Sequence, residues 1–197
     1  MAARSSELDH LAPRVVRKPP RFTGDPAPDY SLRRQLAVIA PNLGDAVRYA
    51  GGWLFDLVAA GWDGAVITDE PADPRPARIL GARTYDLQAM LSAPPADRRM
   101  HAIMVDANLD RRDPRVREIA QQVRCADLTE LMLCGDDWPD SLDGGADPVR
   151  YRPSRAARAF KAHALAAAAV PAGTSADFEV FRRSRLSPLP VVPITSS

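Results

Sequence analysis

Cysteine is nearly absent. Two occur in 197 residues, Cys125 and Cys134, too few for a disulfide scaffold or a zinc site, and both read as reduced, packed thiols without a redox role. Long apolar runs are missing too. No stretch of about eighteen apolar residues exists, so no membrane-spanning helix and no membrane partner are expected. The N-terminal MAARSSELDHLAPRVVRKPPRF lacks the apolar centre of a secretory signal, and a cytoplasmic location is the expectation. The histidines His10, His101 and His163 fall in a tail, at a strand start and in a helix, which offers neither a metal cluster nor a triad. No charge sign is in excess. The 26 basic and 25 acidic residues leave +1, so nothing in the bulk electrostatics calls for nucleic acid or anionic lipid.

Motifs that hold cofactors or build nucleophiles are likewise missing. PNLGD offers one glycine where a dinucleotide fingerprint needs GxGxxG. Neither the P-loop pattern nor the GxSxG elbow occurs, and no residue stands out as a general base. No catalytic residue, metal site or cofactor is therefore assigned.

What remains is a legible fold. Leu36–Thr68 (LAVIAPNLGDAVRYAGGWLFDLVAAGWDGAVIT) reads as strand, helix, strand. The apolar run Leu36–Ala40 suits a strand covered on both faces. Pro41 ends it, and Asn42 can cap a helix with Asp45 three residues on. Val47, Ala50, Leu54, Leu57 and Val58 form one helical stripe, and Gly61 is placed to stop it. Gly51 and Gly52 each cost about 1 kcal/mol of helix propensity, which close packing against the sheet would offset.

Further strands are expected at Ala65–Thr68, Arg83–Tyr85, His101–Val105, Leu131–Cys134 and Val149–Tyr151. Helices are expected at Ala77–Leu80, Leu87–Leu91, Pro114–Val123 and Arg155–Ala169, with Asp86, Asp113 and Ser154 as caps. Strands alternating with helices make this an α/β chain: a three-layer, Rossmann-like or flavodoxin-like domain with a mostly parallel sheet. The nineteen prolines crowd near both ends and after the second strand. They suggest a flexible N-terminal arm (1–31), a single α/β domain (32–170) and a loosely ordered tail (171–197).

In such a sheet the strand C-terminal ends share one edge, where ligands bind. That edge would collect Asn42, Gly44, Asp45, Asp69, Asp106, Asn108, Asp136 and Asp137. Carboxylates there can hold Mg²⁺ or accept protons from sugar hydroxyls, whereas the plainer reading makes each a cap or turn former. On the last helix, Arg155, Arg158 and Lys161 recur every third residue and form a candidate basic surface. Arg14, Arg17, Lys18 and Arg21 form a small basic cluster in the arm.

IMVDANL, with Asp106 closing a strand, resembles the phosphoacceptor segment of response-regulator receiver domains. That family carries an acidic pair after its first strand, where this chain has Ala40, Pro41 and Asn42. The resemblance thus implies a receiver-like shape without a supported phosphoacceptor site. The Val38–Thr68 segment is similar to the opening of two-domain nucleotide-sugar glycosyltransferases, whose donor site lies mainly in a C-terminal half that this chain is too short to contain. The expectation is a non-catalytic binding or regulatory module with a protein partner, or with nucleic acid. The alternative is a small ligand-binding protein or enzyme that uses the acidic rim, with Mg²⁺ and a nucleotide or sugar.

Overall fold

The strand Gln35–Ala40 (β1) is buried at every position, and its residues alternate between two separate apolar cores. Leu36, Val38 and Ala40 face one core, and Ala37 and Ile39 the other. This two-sidedness is the mark of a central parallel strand. The computed structural model describes residues 33–70, 73–92, 100–125, 129–136, 147–171 and 177–183. After β1 come α1 (Leu43–Ala59), β2 (Asp63–Thr68), α2 (Arg75–Ile79), β3 (Arg83–Asp86) and α3 (Leu87–Ser92). Then follow β4 (Ala102–Asp106), α4 (Ala107–Arg112), α5 (Pro114–Cys125), β5 (Glu130–Cys134), β6 (Asp147–Tyr151), α6 (Arg155–Ala167) and β7 (Glu179–Arg183).

The strands form one sheet in the order β3-β2-β1-β4-β5-β7-β6. β1 pairs in parallel with β2 and β4, and the parallel pairing continues outward to β3 and β5. β7 is antiparallel to both β5 and β6. Helices α1, α2 and α6 cover one face, with Val47, Leu54, Leu80 and Leu165 in its core. Helices α3, α4 and α5 cover the other, with Leu87, Leu109, Val116 and Val123. The expected three-layer α/β architecture is present. The strand order, which the sequence left open, follows the Rossmann pattern; receiver domains share the flavodoxin order 2-1-3-4-5.

Three expectations need correction. The domain does not stop at residue 170, because β7 lies between β5 and β6 in the sheet. Its sequence, EVFRR, hides the strand: the inward positions are a charged Glu179 and Phe181, while the alternate Val180 is 50% exposed. The second correction concerns Gly51 and Gly52, which pack against Pro153, α6 and Glu179 of β7 and not against the central strands alone. A Cβ on Gly52 would lie 2.6 Å from Pro153 Cγ, and one on Gly51 would lie 3.4 Å from Lys161 Cγ. Third, Lys161 is no part of a basic surface. It is 2% exposed, and its ammonium pairs with Glu179 at 2.6 Å. Of the expected trio, Arg155 is exposed and Arg158 is half-buried, 3.4 Å from Asp177.

The arm and its basic cluster, the tail after residue 183, and Asp137 lie outside the described residues. No described helix is long and apolar enough to cross a membrane.

Candidate functional site

The sheet changes direction of winding between β1 and β4, and the site is built from the residues that leave these strands. Pro41 releases the chain from β1, and Asn42 then caps α1 by accepting the Asp45 N–H at 2.9 Å. The Asn42 side-chain amide donates to Asp45 Oδ2 at 2.9 Å, a side-chain pair in place of the backbone bond of a capping box. Gly44 sits under the chain that leaves α6. A Cβ there would stand 3.0 Å from Val170 Cγ2.

Asp106 closes β4 and is 1% exposed. Its Oδ1 accepts the N–H groups of Asn108 at 2.8 Å and Leu109 at 3.2 Å, which starts α4 directly from the strand. Across from it, Gly135 adopts φ +112, and a Cβ there would reach within 3.4 Å of Asp106 Oδ2. Burial pushes the Asp106 carboxyl above its ordinary value. The two backbone N–H groups oppose that rise, while the charges of Asp45 and Asp136 add to it. A buried carboxyl facing other carboxylates keeps its proton more readily.

Asp136, exposed at the end of β5, accepts the Tyr49 hydroxyl at 2.6 Å. Tyr49 stands one helical turn beyond Asp45 on the same flank of α1. Burial, followed by the bond to Asp136, pushes its phenol up to about 12. The loop after β2 is tied to the same corner, where the Glu70 N–H donates to the Pro41 carbonyl at 3.2 Å.

Asn42, Gly44, Asp45, Asp106 and Asp136 therefore lie at one switch point, the crevice where ligands bind in open α/β sheets. Two further rim residues do not join them. Asp69 accepts from Gln88 Nε2 at 2.7 Å, and Gln88 in turn accepts from Arg115, whose guanidinium also pairs with Asp113. That separate polar chain runs toward α5. The Asn108 side chain turns to Arg111. Sequence reasoning missed Tyr49, although its spacing of four from Asp45 carried the signal.

Among the described residues, no group of three or more His, Cys, Asp or Glu side chains is placed to hold a metal ion. Asp45 and Asp106 each commit one oxygen to a cap. The chemistry at hand is that of the carboxyls themselves. Asp106 has a raised affinity for a proton, and Tyr49, whose single hydroxyl hydrogen goes to Asp136, keeps lone pairs that can accept a hydrogen bond.

The chain matches no protein-family model and no curated protein. Among solved structures it is similar to the A40926 pseudoaglycone deacetylase, at 15% identity and TM-score 0.49, over 79% of this chain and 99% of that one. It is similar to a conserved protein of Thermus thermophilus at 18% identity and TM-score 0.48, over 82% and 99%. A deacetylase of the teicoplanin biosynthetic pathway matches at 13% identity and TM-score 0.47, over 78% and 100%. Identities this low bear on fold alone.

The expected non-catalytic module with a receiver-like shape is corrected. The strand order is not that of a receiver domain, and the carboxylates read as separate caps act on one another at the switch point. The acidic-rim alternative is the better account.

Proposed function

We propose that the crevice between the ends of β1 and β4 binds a hydroxyl- and amide-bearing small molecule, and that the chain acts on it as a deacetylase-like α/β enzyme. The observation that carries this reading is the approach of Asp45 and Asp136 to the buried Asp106, whose carboxyl is held toward its protonated form. A carboxyl whose affinity for a proton is raised, set among other carboxyl oxygens, supplies the functional groups that acid–base work on an amide needs. The deacetylases named above suggest an acetylated, sugar-bearing ligand as the first to test.

The experiment has two readouts on the full chain. N-acetylglucosamine, UDP-N-acetylglucosamine with and without Mg²⁺, and teicoplanin are screened by thermal shift, and acetate release is measured on any that bind. A shift that is lost in Asp106→Asn and Asp136→Asn, together with acetate release, is the expected result. No shift with any of these probes removes the ligand reading. A shift without acetate release removes the deacetylase reading and leaves a binding site.

A further inference from the structure

The middle of α1 carries a feature that no rim residue requires. Lys161 Nζ donates to the Arg48 carbonyl at 2.6 Å and to Glu179 Oε1 at 2.6 Å. The Glu179 carboxylate also accepts two α1 backbone groups, the N–H of Gly52 at 2.7 Å and that of Trp53 at 2.8 Å. In a regular helix those N–H groups pair with the carbonyls four residues back, on Arg48 and Tyr49. An ion pair from α6 and β7 thus bonds three backbone groups inside another helix. Both side chains are buried, at 3% and 1% exposure.

Gly52 makes this possible. Its missing Cβ is what lets Glu179 Oε1 approach, since a Cβ there would lie only 3.0 Å from that oxygen. The Lys161 stem passes beside Gly51, 3.4 Å from where its Cβ would be, at ordinary contact distance. The glycine pair that costs helix propensity is the seat of the ion pair.

Position along the helix gives the clamp its consequence. Arg48, whose carbonyl accepts from Lys161, immediately precedes Tyr49, and Trp53 lies one turn beyond it. Tyr49 is the α1 residue that reaches Asp136 across the rim. We infer that Lys161 and Glu179 are positioning residues: the ion pair sets the local pitch of α1 at Arg48–Trp53 and so holds the Tyr49 hydroxyl on Asp136. The C-terminal strand, most distant in sequence, thereby controls the geometry of the crevice. Only the consequence for ligand binding rests on the function proposed above. The geometric claim is read without any ligand, so the failure of one is distinguishable from the failure of the other.

The test uses the full chain labelled with 3-fluorotyrosine and followed by fluorine NMR, with the Tyr49 resonance assigned from Tyr49→Phe. In Glu179→Gln and the milder Glu179→Asp, the Tyr49 resonance is expected to move while that of Tyr85, on β3, stays in place. Val123→Ala, in the opposite core, lowers the melting temperature and leaves the Tyr49 resonance unmoved. Lys161→Arg, which keeps the charge, moves it less than Lys161→Met. In the wild-type chain, amide exchange of Gly52 and Trp53 is expected to share a phase with β7, because their acceptor leaves with that strand. A Glu179 variant that melts lower but keeps the wild-type Tyr49 resonance overturns the inference. So does exchange of Gly52 and Trp53 independent of β7, a measurement that stands even if the variants fail to fold.

Discussion

Tyr49 donates its hydroxyl to Asp136 Oδ2 at 2.6 Å, joining α1 to the end of β5 across 87 residues of chain. The phenol is raised from 10.0 to about 12, by burial first and by the carboxylate second. A group whose folded value is raised contributes stability that is fully present below its unfolded value and lost as the pH climbs through the folded one. The wild-type urea midpoint should therefore fall more steeply than that of Tyr49→Phe as the pH rises from 10.0 to about 12. Parallel curves would mean that the phenol titrates alike in the folded and unfolded chains.

Asp106 separates its two roles by substitution. Asp106→Asn keeps an oxygen for the Asn108 and Leu109 N–H groups and removes a charge that burial and two neighbouring carboxylates disfavour. Its unfolding free energy at neutral pH should match or exceed that of wild type. Because the folded carboxyl is raised, any advantage shrinks as the pH falls and wild-type Asp106 takes up its proton. Asp106→Ala loses the cap as well and should cost about 1–2 kcal/mol. Chemical denaturation at two pH values decides between these outcomes.

The glycine pair should respond unequally to alanine. At Gly51 the closest contact for a new Cβ is Val47 Cγ1 at 3.2 Å, whereas at Gly52 it is Pro153 Cγ at 2.6 Å. Gly51→Ala gains helix propensity and should be close to neutral. Gly52→Ala forces Pro153 or Glu179 away and should destabilise by about 1–3 kcal/mol. Equal melting temperatures for the two variants would contradict the packing described.

α6 ends on Ala169 at φ 55, followed by a Val170 N–H that reaches back to the Leu165 carbonyl at 3.0 Å. Left-handed backbone strains any residue with a Cβ, and glycine removes the strain at this helix-terminating position. Ala169→Gly should raise stability by roughly 1 kcal/mol, visible as a higher melting temperature.

Truncation after residue 170 tests the extent of the domain. It removes β7, uncovers the edge of β5 and leaves Lys161 buried without Glu179. An unpaired buried charge is strongly destabilising, about 3–5 kcal/mol. The shortened chain should lose its cooperative unfolding transition in circular dichroism. A cooperative transition at the wild-type temperature would show that β7 is dispensable.

Local signals in the chain were enough for the central strands, the Asn42–Asp45 cap of α1, the Asp106 strand end and the Ser154 cap of α6. Each depends on residues within a few positions of one another, through apolar runs and short-range side-chain to backbone bonds. The rim was legible as a set of acidic strand ends for the same reason. Its membership was not, because Asp69 and Asn108 found partners in Gln88 and Arg111 while Tyr49 joined from a helix.

What the amino-acid sequence determined by itself was the α/β class and the strand-end placement of the carboxylates, since periodicity and capping are local. Only the tertiary structure decided that Lys161 is an interior cation, that Gly52 admits an ion pair from α6 and β7, and that EVFRR is a strand. A buried charge is tolerable only beside a partner that solvates it. Here that partner, Glu179, lies 18 residues away in sequence and closes on a helix 126 residues before it. No local pattern encodes such a meeting; the sheet order brings it about.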